Sequence, residues 1–359
     1  MNRQVALLVL IITNLITVES YPQASSRMAN ENYMQTKLMD NFSSSTVNKN
    51  LWLVVSKLKK DNLYIFADCP TTISQNNSNL ELSMHRHPGY SVQGWTPEGD
   101  TILTANFITA EVVSVEDFSY GIFECSATFA HRKGSFPAFW LFGDTVCFEA
   151  ERPEIDIVEL KVNRRNPTLD NNIWYYPPGC LPQTSHEFTK HKFSWGGAHV
   201  FKGIWTPEKI EFLVDDILLK EVFNTGQNWY PQLKQQVILS QQIVRYGRLC
   251  PDSAKIITPQ TSLFHWVRVR EFFLAPEITC PENISTTVTA TMDVDKAATE
   301  ITWELTPEIL FSGITSGKGL KATITPKTNL HRGGKITYRF KMPSGETFSA
   351  KKEFILNGL

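Results

Sequence analysis

From Leu51 to Phe273 the chain is a succession of short apolar runs, β-branched and aromatic, broken every few residues by Gly, Pro or Asn. No stretch of it sustains the period of about 3.6 residues that an amphipathic helix requires. Short runs punctuated in this way pack as the strands of a sandwich or barrel, so the expected class is all-β. The run Trp266–Phe273 passes into Leu274-Ala275-Pro276, which reads as a domain boundary. Beyond it, Ile301–Leu305, Lys321–Thr325 and Lys335–Phe340 alternate around a central Trp303, the pattern of a smaller immunoglobulin-like β-sandwich. A chain of 359 residues with 42% hydrophobic content has enough apolar material for a main core and a second, lesser one.

The N-terminus reads as an export signal. Arg3 precedes the apolar run Val5–Ile12, and Val18 and Ser20 are the small residues of a cleavage site after Ser20. Asn14 and Glu19 interrupt a segment already too short to span a bilayer. Residues 21–48 are rich in Ser and Asn and read as a flexible lead-in. The expected organisation is therefore a signal peptide at 1–20, a lead-in at 21–48, a catalytic sandwich at 49–275 and the smaller β module at 276–359. The mature protein is expected to be secreted, periplasmic or at the cell surface, free of the membrane and monomeric.

All six cysteines (Cys69, Cys125, Cys147, Cys180, Cys250, Cys280) fall in the exported part, where disulfides persist. None is in a Cys-x-x-Cys metal pattern, their pairing is not readable from spacing, and Cys125 also suits a small buried hydrophobe. Asn41, Asn76 and Asn283 each open an Asn-x-Ser triplet and are read as ordinary surface asparagines. A net charge of −1 argues against nucleic acid or an anionic membrane as partner.

The segment Glu154-Ile155-Asp156-Ile157-Val158-Glu159 places three carboxylates in an apolar run. Strand interiors disfavour acids, because burying a charge is costly unless it is paired. On a strand, Glu154 and Asp156 share a face while Ile155 and Ile157 take the other. Glu159 has the wrong parity, and a β-bulge at Ile157–Val158 returns it to the acid face. With 36 acids in 359 residues, three fixed positions are all acidic by chance in about one window per thousand. The acids therefore need their context. It is Tyr120-Gly121-Ile122-Phe123-Glu124, Phe136–Gly143, His199–Pro207, Ile210–Asp215 and Trp266–Arg270.

In that order and spacing, about residues 50–273 resemble glycoside hydrolase family 16. The family's wording is Y-G-x-F-E, P-A-x-W-L, E-I-D-x-x-E, H-x-Y-x-x-x-W-T-P, V-D-G and V-R-V. Three positions depart from it: Pro153 stands for a usual Gly, Ile204 for a common Glu, and Leu160 for a frequent aromatic. None removes an acid. The resemblance implies a jelly-roll sandwich whose concave face binds a polysaccharide, and a retaining endo-glycosidase. It implies Glu154 as nucleophile, Glu159 as general acid/base and Asp156 as the acid that raises the proton affinity of its neighbours. Retention needs the two carboxyls about 5–5.5 Å apart. Extended strand geometry sets the Cα atoms about 13 Å apart, so the side chains must lean inward.

Trp140 is a candidate sugar platform, as is Trp95 in the Gly94–Gly99 loop, whereas Trp205 and Trp303 are assigned to core packing. His199 is either a wall histidine or a substrate contact. The chemistry requires no cofactor and no catalytic metal, and a structural calcium has no assignable ligands. The reading is a secreted retaining endo-β-glycosidase acting on a β-1,3-type glucan or related galactan. Its alternative is a catalytically inactive polysaccharide-recognition protein of the same fold.

Overall fold

The computed structural model describes residues 27–58, 64–96, 99–143, 152–162, 167–176, 183–184, 187–189, 196–226, 230–244, 256–327 and 331–357. Among these the elements are strands, with a 3₁₀ turn at Glu308–Leu310, and no helix is long and apolar enough to cross a membrane. Among the described residues the main unit is a sheet of eighteen strands, of which the twelve longest are β1 Met34–Asp40, β2 Asn79–Thr96, β3 Gly99–Phe118, β4 Gly121–Thr128, β5 Ser135–Phe142 and β6 Arg152–Lys161, then β7 Thr168–Tyr176, β8 His199–Trp205, β9 Lys209–Val214, β10 Ile217–Phe223, β11 Gln235–Ile243 and β12 Gln260–Phe272. One layer runs β1–β12–β4–β8–β9–β10, antiparallel throughout. The other runs β3–β11–β5–β6–β7, also antiparallel. β2 pairs with β12 of the first layer and β3 of the second. The ladder is thus one curled sheet of jelly-roll type.

Alternation decides which residues fill the space between the layers. Phe123, Cys125, Phe201, Trp205, Phe212, Val267 and Val269 enter it from the first layer, and Val112, Val237, Leu239, Phe139, Leu141, Ile155 and Leu169 from the second. Gly203 of β8 faces Ile157 of the acid-bearing strand across the core. A Cβ there would lie 2.9 Å from Cγ1 of Ile157.

Residues 276–359 contribute a separate pair of sheets. One joins Glu277–Thr279, Val288–Asp293 and Lys321–Ile324; the other has five strands, including Thr299–Thr306, His331–Lys341 and Thr347–Asn357. Their own core holds Met292, Trp303, Leu305, Ile336, Tyr338 and Phe340. Trp205 and Trp303 are buried core residues, as the sequence indicates.

Three expectations are corrected. The stretch 21–48 is not a flexible lead-in where it is described. Met34–Asp40 is an edge strand zipped to β12, and Leu38 and Phe42 are buried in the main core; its Ser- and Asn-rich flank masks a few well-spaced apolar residues. The main unit does not end cleanly at 275, because Phe273 packs in the second core, with ring centroids 4.9 Å from Phe348. Cys69, Cys125 and Cys280 are free thiols, Cys125 being sealed in the main core. Cys147, Cys180, Cys250 and the signal segment 1–20 lie outside the described residues.

Candidate active site

β6 carries the acids. Against β7, Asp156 pairs with Asn172 and Glu159 with Asp170, so three steps on β6 span two on β7. The same slip occurs against β5, between Asp156 and Val158. This is the expected bulge, and it lets both Ile157 and Val158 enter the core. Glu159 is thereby turned to the face of Glu154 and Asp156. Pairing extends the acid face across its neighbours in rows. Glu159 continues to Ala138 of β5, Ser240 of β11 and Glu111 of β3 on one side, and to Asp170 of β7 on the other. Asp156 is flanked by Trp140 and Asn172, and Glu154 by Phe142 and Trp174.

Burial and bonding differ along the row. Glu154 is half-buried. Asp156 is 1% exposed; its Oδ2 accepts the indole N–H of Trp174 at 2.9 Å, and its Oδ1 is buried without a hydrogen-bond partner among the described residues. Burial raises the Asp156 carboxyl well above the usual range, reinforced by the charges of Glu159 and Glu154. Glu159 is 8% exposed, and its Oε2 accepts from Lys161 Nζ at 2.8 Å and Asn172 Nδ2 at 3.3 Å. Burial raises its carboxyl as well, while Lys161 pulls in the opposite direction. At neutral pH the row favours Asp156 as the acid that keeps a proton.

Trp140 is half-buried beside Asp156, its indole N–H fixed on Ser240 Oγ at 3.2 Å. Ser240 accepts in turn from Gln242, and Gln242 from Tyr64 at 2.7 Å. Trp95 does not lie in a loop. It belongs to β2 and pairs with Asp100 in the hairpin to β3, and its side chain is outside the described residues. His199 is not brought to the acid row. It lies on β8 of the other layer, with Nδ1 2.7 Å from Asp215 Oδ2 in the turn after β9. Among the described residues no group of three His, Cys, Asp or Glu side chains is placed to hold a metal ion.

Four further residues join the site: Lys161, Asp170, Asn172 and Trp174. Asp170, Asn172 and Trp174 alternate along β7, repeating the two-residue period of the acids. That spacing was the available signal, but only the β6–β7 register shows that both polar stripes share a face.

The acid-bearing layer turns a stripe of carboxylates, amides and indoles away from its core. Residues 61–246, just over half of the chain, match the profile of glycosyl hydrolases family 16, and the chain belongs to that family. Solved structures share the fold at low identity. An endo-acting O-glycanase from the human gut microbiota aligns with a TM-score of 0.57 at 16% identity, covering 69% of this chain and 94% of that one. The catalytic domain of an endo-1,3-β-glucanase (laminarinase) from Thermotoga petrophila gives 0.51 at 17%, covering 67% and 98%. A pseudo β-1,3-glucanase of Mycobacterium tuberculosis gives 0.52 at 19%, covering 66% and 99%. No curated protein sequence matches the chain.

Proposed function

We propose that this protein is a secreted, retaining endo-β-glycosidase that cleaves a β-1,3-type glucan or related galactan. The observation that carries the reading is the bulge in β6, which sets Glu154, Asp156 and Glu159 on one face. Family membership supports the reaction class. In the first displacement the Glu154 carboxylate attacks the anomeric carbon while Glu159 protonates the departing glycosidic oxygen. In the second, Glu159 takes a proton from water, which releases the sugar from Glu154. Asp156 touches neither reacting atom. Its buried carboxyl, kept neutral between the two glutamates, limits the charge that accumulates along the row. Trp140 offers an indole face beside Asp156 on which a sugar ring can stack.

The rival reading, an inactive polysaccharide-recognition protein, is favoured by one observation: Lys161 sits on the acid proposed to donate a proton. Incubation with laminarin, mixed-linkage glucan, agarose and carrageenan separates the two. Shorter products with an initial β-anomer, seen by proton NMR before mutarotation, are expected from one polymer, and Glu154→Gln should abolish them while leaving binding intact. Binding without cleavage by the wild-type chain establishes the recognition protein, and an initial α-anomer refutes the nucleophile.

A further inference from the structure

Lys161 follows Glu159 by two residues on the same face of β6 and is 8% exposed. A lysine this buried normally sheds its charge unless acids hold it. Here two do: its Nζ lies 2.8 Å from Glu159 Oε2 and 2.6 Å from Asp170 Oδ2. The ammonium also stands 5.3 Å from the centroid of the Phe136 ring, within range of cation–π attraction. Asn172 Nδ2 occupies the same Glu159 oxygen at 3.3 Å. The bonds at this carboxyl therefore converge on Oε2, which leaves Oε1 as the oxygen for proton exchange.

We propose that Lys161, braced by Asp170, is a positioning residue that clamps Oε2 of Glu159, aims Oε1 at the glycosidic oxygen and sets the pH at which Glu159 gives up its proton. The inference rests on the acid/base reading of Glu159. Other charges face the carboxyl from around it. Glu154 and Asp156 stand on its own strand and Asp170 on β7, Glu111 ends its row on β3, and Lys220 of β10 reaches the Asn171 carbonyl at 3.1 Å. β5 and β11 present uncharged Phe136, Ala138, Ser240 and Gln242. Lys161 is thus the cation in direct contact with Glu159, and its charge favours the carboxylate. Removing it should make the proton harder to lose.

The direct test follows the Glu159 δ-carbon by ¹³C NMR through a pH titration of the full chain, the resonance being identified by its loss in Glu159→Gln. Lys161→Met should raise the midpoint by about one to three pH units, the usual effect of an opposite charge at this range, and Lys161→Arg should restore most of it. Lys161→Met leaves two acids buried without their cation. The double variant Lys161→Met with Asp170→Asn removes one charge of each sign, and it should show the same upward direction if the single variant does not fold. In hydrolysis the alkaline limb of kcat/KM, which reports the acid of the free enzyme, should move up with the midpoint while the acid limb stays. A midpoint unchanged or lowered in a folded variant overturns the clamp, whatever the activity. A raised midpoint in a protein that hydrolyses none of the polymers upholds the clamp and overturns the enzyme reading instead.

Discussion

Asp156 stands in the most adverse electrostatic position of the row, buried between two glutamates. A carboxyl whose folded value is raised contributes stability that is complete below its unfolded value, about pH 4. That stability is lost as pH rises through the folded value. Asparagine copies the neutral acid in size and can still accept from Trp174. Asp156→Asn should therefore melt with wild type near pH 4 and progressively above it as pH rises from there. Its activity should fall, though less than in Glu154→Gln, where loss of the attacking group leaves no route. Thermal melts across the pH series check the first part, and a variant that loses Tm with pH as steeply as wild type would put the proton elsewhere. The three acids were readable because a two-residue period and one bulge suffice to align them. Lys161 is equally local, but its parity has meaning only once that bulge is known to exist.

At the scale of the element, the bulge depends on the opposite layer. Ile157 is the extra residue of β6, and its side chain fills the space that Gly203 leaves on β8. Ile157 is β-branched and stiff, so it gives way poorly to a new methyl group. Gly203→Ala should cost about 1–3 kcal/mol, the usual penalty for overpacking a filled core, read as a lower Tm. It should also reduce activity, because the displaced residue lies between Asp156 and Glu159. Combining it with Ile157→Ala should restore part of both, and strictly additive losses would show that the two sites do not share the space. The sequence showed a glycine in an apolar run at 203. That it faces Ile157 across the core could not be read from it, since the residues are 46 positions apart and meet only when the layers close.

Across the whole molecule, the main hydrophobic core and the core of the second unit are bridged by specific contacts. Tyr33 donates to the Ser349 carbonyl at 3.1 Å, Thr36 meets Glu346, and Arg27 reaches Asp293 at 3.0 Å. Phe273 crosses the junction to pack with Phe340 and Phe348. Each unit has its own core, so a chain ending at Leu274 should keep a cooperative melt and hydrolysis of soluble polymer. Its Tm should be lower, because Tyr33 and Phe273 lose their cover. Melting followed by calorimetry and by reducing-end release decides it. Loss of the transition would make the second unit an integral part of the first.

The all-β class, the order of the family motifs and the acid-bearing strand were determined by the sequence alone, because they rest on alternation and spacing within single segments. Strand β1 escaped notice because a short edge strand in a polar stretch is specified by the partner it zips to, not by its own composition. Likewise the trio of Lys161, Asp170 and Asn172 around Glu159, and the placing of His199 in the other layer, were decided only by tertiary structure. Register and layer assignment are relations between strands distant in sequence, and pairing is settled by which faces bury together when the sheet curls.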